Sequence, residues 1–236
     1  PVIEVIYQKG LYLPELDLWL DPRSPKPRAF ISHAHADHVA RHSSTICSEV
    51  TARLLRDRFR ISADRTDAHP FHSSFTDENF RITLLPAGHI AGSAMIHITR
   101  MSDQASLLYT GDFKLRPGRS AENCTTPHAD TVIMETTFGR PQYVFPPTER
   151  VLADVAAFCH ASLADGDVPV LFGYSLGKSQ ELLCGLAEAR LPVMLHPQTL
   201  RLTRIYEELG VALPPHRAFD AAETPGHVVI CPPQSR

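Results

Sequence analysis

Residues 29–42 read "AFISHAHADHVARH", and the fold turns on what stands behind the opening apolar residues. His33, His35, Asp37 and His38 place three imidazoles and a carboxylate within six positions, directly after Phe30 and Ile31. The preceding "KPRAFISH" has the length and apolar run of a short buried strand, so the titratable groups stand at a strand end. Residues two apart on an extended segment project to one side, which lets His33 and His35 converge while Asp37 and His38 lie just beyond. Neutral imidazole and carboxylate suit zinc and similar divalent ions. One ion cannot easily take all four groups from so short a segment, but two neighbouring ions can. The plain alternative is a solvated histidine-rich loop, or core histidines satisfied by backbone; the alternation after an apolar strand weighs against it.

Two further strand ends repeat the arrangement. "FRITLLPAGH" runs apolar and stops at His89, flanked by Gly88 and Gly92, where the backbone is free to approach closely. "ASLLYTGDF" stops at Asp112, which also follows a glycine. Taken singly, each reads as turn chemistry. Taken with the first cluster they make a pair of metal sites, in which a bridging carboxylate holds two cations roughly 3.5–4 Å apart.

The chain of 236 residues has room for one large domain or for one domain and a smaller one. No apolar run approaches the roughly 20 residues that cross a bilayer, and the N-terminal residues show no signal-peptide pattern. Five scattered cysteines without a Cys-x-x-Cys pair predict reduced thiols in a cytoplasmic protein. A net charge of −3 excludes a general polycation, so any nucleic-acid contact must use a local basic patch. The first part reads as β-rich, with one helix over "SEVTARLLRDRF" capped by Ser48. Beyond the proline-rich "GRPQYVFPPT", helix and strand patterns alternate, which predicts a parallel sheet. The expected domains are 1–145 and 146–236.

"HAHADH", "PAGHIAGSAM" and "YTGDF" resemble the successive metal motifs of the metallo-β-lactamase superfamily. "VIMETTFG" and "LFGYSLGKSQELL" resemble its nucleic-acid-processing β-CASP branch. More narrowly, "GLYLPELDLWLDP", "METTFGRPQYVFPP" and "FGYSLGKSQELLCGL" are similar to the bacterial ligase-associated DNA exonucleases. The resemblance implies an α/β protein: an αββα metallo-β-lactamase sandwich with a β-CASP cap. It implies that His33, His35 and His89 bind one divalent ion, zinc or manganese, that Asp37 and His38 bind a second, and that Asp112 is shared. Asp21 matches a motif aspartate that orients a ligand. Asp37 and Glu135 are the expected catalytic carboxylates.

The implied activity is a metal-dependent nucleic-acid phosphodiesterase, a DNA exonuclease of DNA repair that uses a metal-activated hydroxide, with a DNA ligase or helicase as partner. Its rivals are an RNA-processing nuclease of the same fold, an inactive metal-binding scaffold and a small-molecule hydrolase. The family pattern departs after Cys231-Pro232-Pro233, where a return to the first domain carries an Asp-His motif and a further histidine. That return is expected to be missing here, since His160, His196, His216 and His227 do not stand in matching motifs.

"GYSLGKS" invites a nucleotide-binding reading, but only three residues separate Gly173 from Gly177, one fewer than a P-loop needs. A strand, a turn and a helix starting near Lys178 would still aim N–H groups and a lysine at an anion. Ser175, Lys178 and Ser179 are the phosphate-binding candidates, against a capped helix with a solvated lysine. Arg53, Arg56, Arg58 and Arg60 read as a solvated helix face or as a DNA-backbone contact. Phe138, Tyr143 and Phe145 read as boundary packing or as a stacking surface for bases.

Overall fold

The computed structural model describes residues 2–233, and the chain divides into two compact units, one ending at Thr136 and the other beginning at Thr137. The first unit opens with β1 (Ile6–Tyr7), β2 (Leu11–Leu13), β3 (Leu18–Leu20), β4 (Arg28–Phe30), β5 (Ser44–Ser48) and β6 (Thr66–His69), which form one sheet in sequence order. Pro14 starts a single 3₁₀ turn between β2 and β3, as a residue without a backbone donor does at a helix start. Helix α1 (Glu49–Phe59) follows β5, with the Ser48 side chain accepting from Thr51 N. It buries Thr51, Ala52, Leu54 and Leu55.

A second sheet takes β7 (Ser74–Asp77), β8 (Phe80–Pro86), β9 (Ala94–Arg100), β10 (Ser106–Tyr109) and β11 (Thr131–Ile133), in the order β11-β10-β9-β8-β7. Both sheets feed one buried cluster: Leu18, Leu20, Phe30 and Ile46 from the first, Ile82, Leu84, Ile96, Ile98 and Leu107 from the second. Each such side chain contributes about 1.5–3 kcal/mol on burial, so the strand ends that carry the polar residues stand on a rigid base.

The second unit alternates α2 (Thr148–Ala164), β12 (Val170–Phe172), α3 (Lys178–Gly185), β13 (Val193–Leu195), α4 (Pro197–Glu208), β14 (Arg217–Ala218) and β15 (Val228–Cys231). Its four strands pair in the order β12-β15-β13-β14, every pair parallel. The alternating pattern of the sequence predicts that parallel sheet, and the protein is of mixed α/β class. No helix among the described residues is long and apolar enough to cross a membrane.

Candidate metal centre

Each functional side chain stands just past a strand. His33 and His35 follow β4, and a 3₁₀ turn over Ala36–His38 carries Asp37 and His38. His89 sits in the loop that joins β8 to β9, closed by the pair Pro86 and Ala94. Gly92 in that loop has φ +79°, and a Cβ there would lie 2.5 Å from Val50. Its carbonyl accepts from Ser48 Oγ at 2.6 Å and Thr51 Oγ1 at 2.9 Å, so the start of α1 anchors the His89 loop. Asp112 follows β10 through Gly111, whose φ is +53° and whose Cβ position lies 2.4 Å from that of Ser32. Only glycine allows the strand carrying Asp112 to pass so near the strand carrying His33.

Four donor groups converge. His33 Nε2 is 2.9 Å from His35 Nδ1, which is 3.2 Å from His89 Nε2. Asp112 Oδ2 lies 3.9 Å from His33 Nε2 and 3.7 Å from His89 Nε2. Bonds of about 2.0–2.1 Å to a tetrahedral zinc imply edges of about 3.3 Å between ligand atoms, and these separations scatter around that value. On the other side, His38 Nε2 is 3.4 Å from Asp112 Oδ1 and 3.6 Å from Asp37 Oδ2. Asp112 therefore presents one oxygen to each group of donors. Among the described residues, two sets bring their donor atoms within 4.8 Å of one another: His33, His35 and His89, and His33, His38 and Asp112. Asp37 is the looser member, its side chain 65% exposed.

Partners behind the rings settle which nitrogens face inward. Asp21 takes Ser32 N on Oδ1 at 2.7 Å. Its Oδ2 accepts from Ser32 Oγ at 2.6 Å, Tyr109 Oη at 2.9 Å and His38 Nδ1 at 3.0 Å. Because the Ser32 hydroxyl proton goes to Asp21, Ser32 Oγ is left to accept from His33 Nδ1 at 3.0 Å. Both histidines are thereby assigned the tautomer that leaves Nε2 bare toward the site. Asp21 itself holds φ +41° at the end of β3, a conformation that aspartate tolerates and that functional sites concentrate. Burial keeps His33 well below its ordinary pKa, and lowers His89 to about 4. Uncharged rings with inward lone pairs are what a divalent cation needs. Burial also acts against charge on His38, but the Asp21 hydrogen bond and the carboxylates of Asp21, Asp112 and Asp37 raise it overall. Asp112 is raised, chiefly by burial.

Glu135 follows β11, which runs parallel to β10 with Tyr109 opposite Ile133. Glu135 stands just beyond that pair, and its charge acts on both His89 and Asp112. Ser32, Tyr109 and Arg58 have no counterpart in the sequence reading of the site. Arg58 donates to the carbonyl of Ala34, the buried residue between His33 and His35. Neither a solvated helix face nor a DNA-backbone contact describes it.

In the second unit the Gly173–Ser179 turn is largely self-satisfied. Ser179 is buried, its hydroxyl donating to the carbonyls of Gly173 at 3.1 Å and Tyr174 at 2.9 Å. Gly177 N donates to Gln180 Oε1 at 2.7 Å. Lys178 is exposed and Ser175 half-buried. His196 caps α4 by accepting from Gln198 N. Phe138, Tyr143 and Phe145 pack on one another, with ring centroids 5.1–6.4 Å apart.

Comparison with known proteins places this geometry in a lineage. No family model matches the chain. It is 59% identical over 236 residues to a protein named probable DNA ligase from Opitutus terrae, covering 99% of this chain and 23% of that one. It is 32% identical over 202 residues to the 5′ exonuclease Apollo of Gallus gallus, covering 81% of this chain and 43% of that one. It is 29% identical over 161 residues to the DNA cross-link repair 1A protein of Mus musculus, covering 65% and 16%. The chain belongs to the β-CASP branch of the metallo-β-lactamase superfamily. It spans less than half the length of each of these relatives. The His/Asp cluster of this β-CASP chain is able to hold metal.

Proposed function

We propose that this chain carries the two-metal centre of a nucleic-acid phosphodiesterase, a DNA exonuclease acting in DNA repair. The observation that carries the reading is Asp112, with one oxygen toward His33 and His89 and the other toward His38. His33, His35, His89 and Asp112 would hold the first ion, and His38, Asp37 and Asp112 the second, zinc or manganese in each case. When bound, the ions supply positive charge that acidifies water and neutralises the charge growing on the phosphoryl oxygens. Asp21 orients His38 directly and His33 through Ser32. The exposed Asp37 carboxylate orients the attacking water, and the proton that this water gives up passes by way of Glu135 to the leaving oxygen.

The remaining assignments follow the same reading. Residues 1–145 form an αββα metallo-β-lactamase sandwich and 146–236 a β-CASP cap. Within the cap, the exposed Lys178 makes the phosphate contact with the half-buried Ser175 beside it, while the buried Ser179 hydroxyl, which donates to Gly173 and Tyr174, closes the turn that presents them. The 59% identical relative is named a probable DNA ligase, which supports a ligase as partner in repair. Five free cysteines, four of them buried, support a cytoplasmic setting.

Metal content per chain, measured beside cleavage of end-labelled single-stranded DNA and RNA, tests the proposal. Two ions per chain and end-dependent loss of DNA, abolished by chelation and restored by metal, are expected. RNA cleaved in preference to DNA, or metal bound without any cleavage, overturns it.

A further inference from the structure

The segment after Asp112, "FKLRPGRSAENCT", is rich in charge of one sign and has no place in the metal centre. Lys114, Arg116 and Arg119 give three cations in six residues, with no acid before Glu122, in a chain whose net charge is −3. Both feet of this loop rest on the strand and turn that carry His89. At its start, Lys114 N donates to Ala87 O at 2.9 Å. At its end, Thr125 N donates to Pro86 O at 2.9 Å, and Glu122 Oε2 accepts from Gly92 N at 2.9 Å. Phe113 and Cys124 pack on the buried cluster of Leu85, Ala87, Met95 and Leu108.

Residues 115–121 are therefore pinned beside His89 at both ends, and Leu115, Arg116, Pro117 and Arg119 are exposed. A rigidly footed surface loop of this kind is a usual carrier of binding residues.

The centre it borders is acidic, with Asp21, Asp37, Asp112 and Glu135 around the histidines. Two divalent ions would offset that charge locally. A strand of nucleic acid also brings phosphates on either side of the one attacked, and these need cations of their own. We infer that the 114–119 loop is a phosphate-backbone site, in which Lys114, Arg116 and Arg119 grip the strand next to the phosphate held at the metal centre. The inference rests on the nuclease reading and adds to it where the uncleaved strand lies. Such contacts position without reading sequence, so the site takes a single strand of any base composition.

The test uses the Arg116→Gln, Arg119→Gln double variant. A fluorescent single-stranded oligonucleotide is titrated under chelation across a range of salt. Losing two contacts should flatten the log–log salt slope by about 1.4 and weaken binding about tenfold at low salt. With metal restored, KM for the strand should rise several-fold with kcat little changed, and metal content should stay at the wild-type value. Arg116→Lys, Arg119→Lys keeps the charges and should restore the slope. An unchanged slope in the glutamine variant overturns the inference. So does a slope that the lysine variant fails to restore, because the effect then comes from distortion of the loop. The nuclease reading fails separately, by absence of cleavage in the wild type.

Discussion

Two strand-end turns in this protein are dense in polar residues, and they satisfy them in opposite directions. Past β4, the hydrogen bonds that orient the rings come from behind: Asp21 and Ser32 take the outer nitrogens of His38 and His33. The inner nitrogens of His33, His35 and His89 are left crowded within 2.9–3.2 Å steps. Past β12, the partners lie inside the turn itself. Ser179 donates to Gly173 and Tyr174, and Gln180 links Gly177, Ser175 and Thr203. Polar density alone does not distinguish a site from a well-closed turn. Ring nitrogens and carboxylate oxygens converging on one point do, because that is the arrangement a divalent cation needs.

The largest expected difference between the two turns lies in the metal ligands. His35→Ala or Asp112→Ala should reduce cleavage of single-stranded DNA by more than about 100-fold, beyond the cost of an outer hydrogen bond. DNA binding under chelation should stay near the wild-type value. Wild-type-like turnover in either variant would break the contrast at its root.

Next comes the layer behind the ligands. Asp21→Asn should weaken metal binding about 10–100-fold, read by competition with a chromophoric chelator. Tyr109→Phe, which removes one of the donors to Asp21, should cost a smaller share of the same quantity. Equal and full metal affinity in both variants would mean that the tautomers need no holding.

A smaller effect is expected at Arg58. Removing its donor leaves the buried Ala34 carbonyl without that partner, so Arg58→Ala should destabilise the fold by about 1–3 kcal/mol in urea. Metal affinity should fall less than in Asp21→Asn. A larger loss of metal than of stability would make Arg58 a direct contributor to the site's field.

The smallest effects belong to the second turn. Ser179→Ala should lower stability by about 1 kcal/mol with metal content unchanged. Lys178→Ala should alter only affinity for the strand and its salt dependence. A loss of cleavage in Ser179→Ala as deep as in Asp112→Ala would erase the distinction between the turns.

Much of the first unit was legible because its signals are local. Pro14 announces the break between β2 and β3, Ser48 the start of α1, and each apolar run that stops at a polar residue marks a strand end. The helix periodicity was less telling: Val50 and Phe59 fit the spacing, yet Thr51 and Ala52 are among the buried residues. Ser32 could have been suspected from its place before His33, since a hydroxyl beside a ligand often supports it. Tyr109 reads as an ordinary strand residue, and Arg58 as one arginine among four on a helix. Nothing local says that the first reaches Asp21 and the second Ala34.

By itself the sequence determined the donor types, their place at strand ends and the parallel sense of the second unit's sheet, because ligand chemistry follows residue identity and strand or helix follows periodicity over a few residues. Only the tertiary structure decided which nitrogen of each ring faces inward. That choice depends on Asp21 meeting Ser32 across 11 residues and Tyr109 across 88, and partners from two sheets meet only once the core between them has packed.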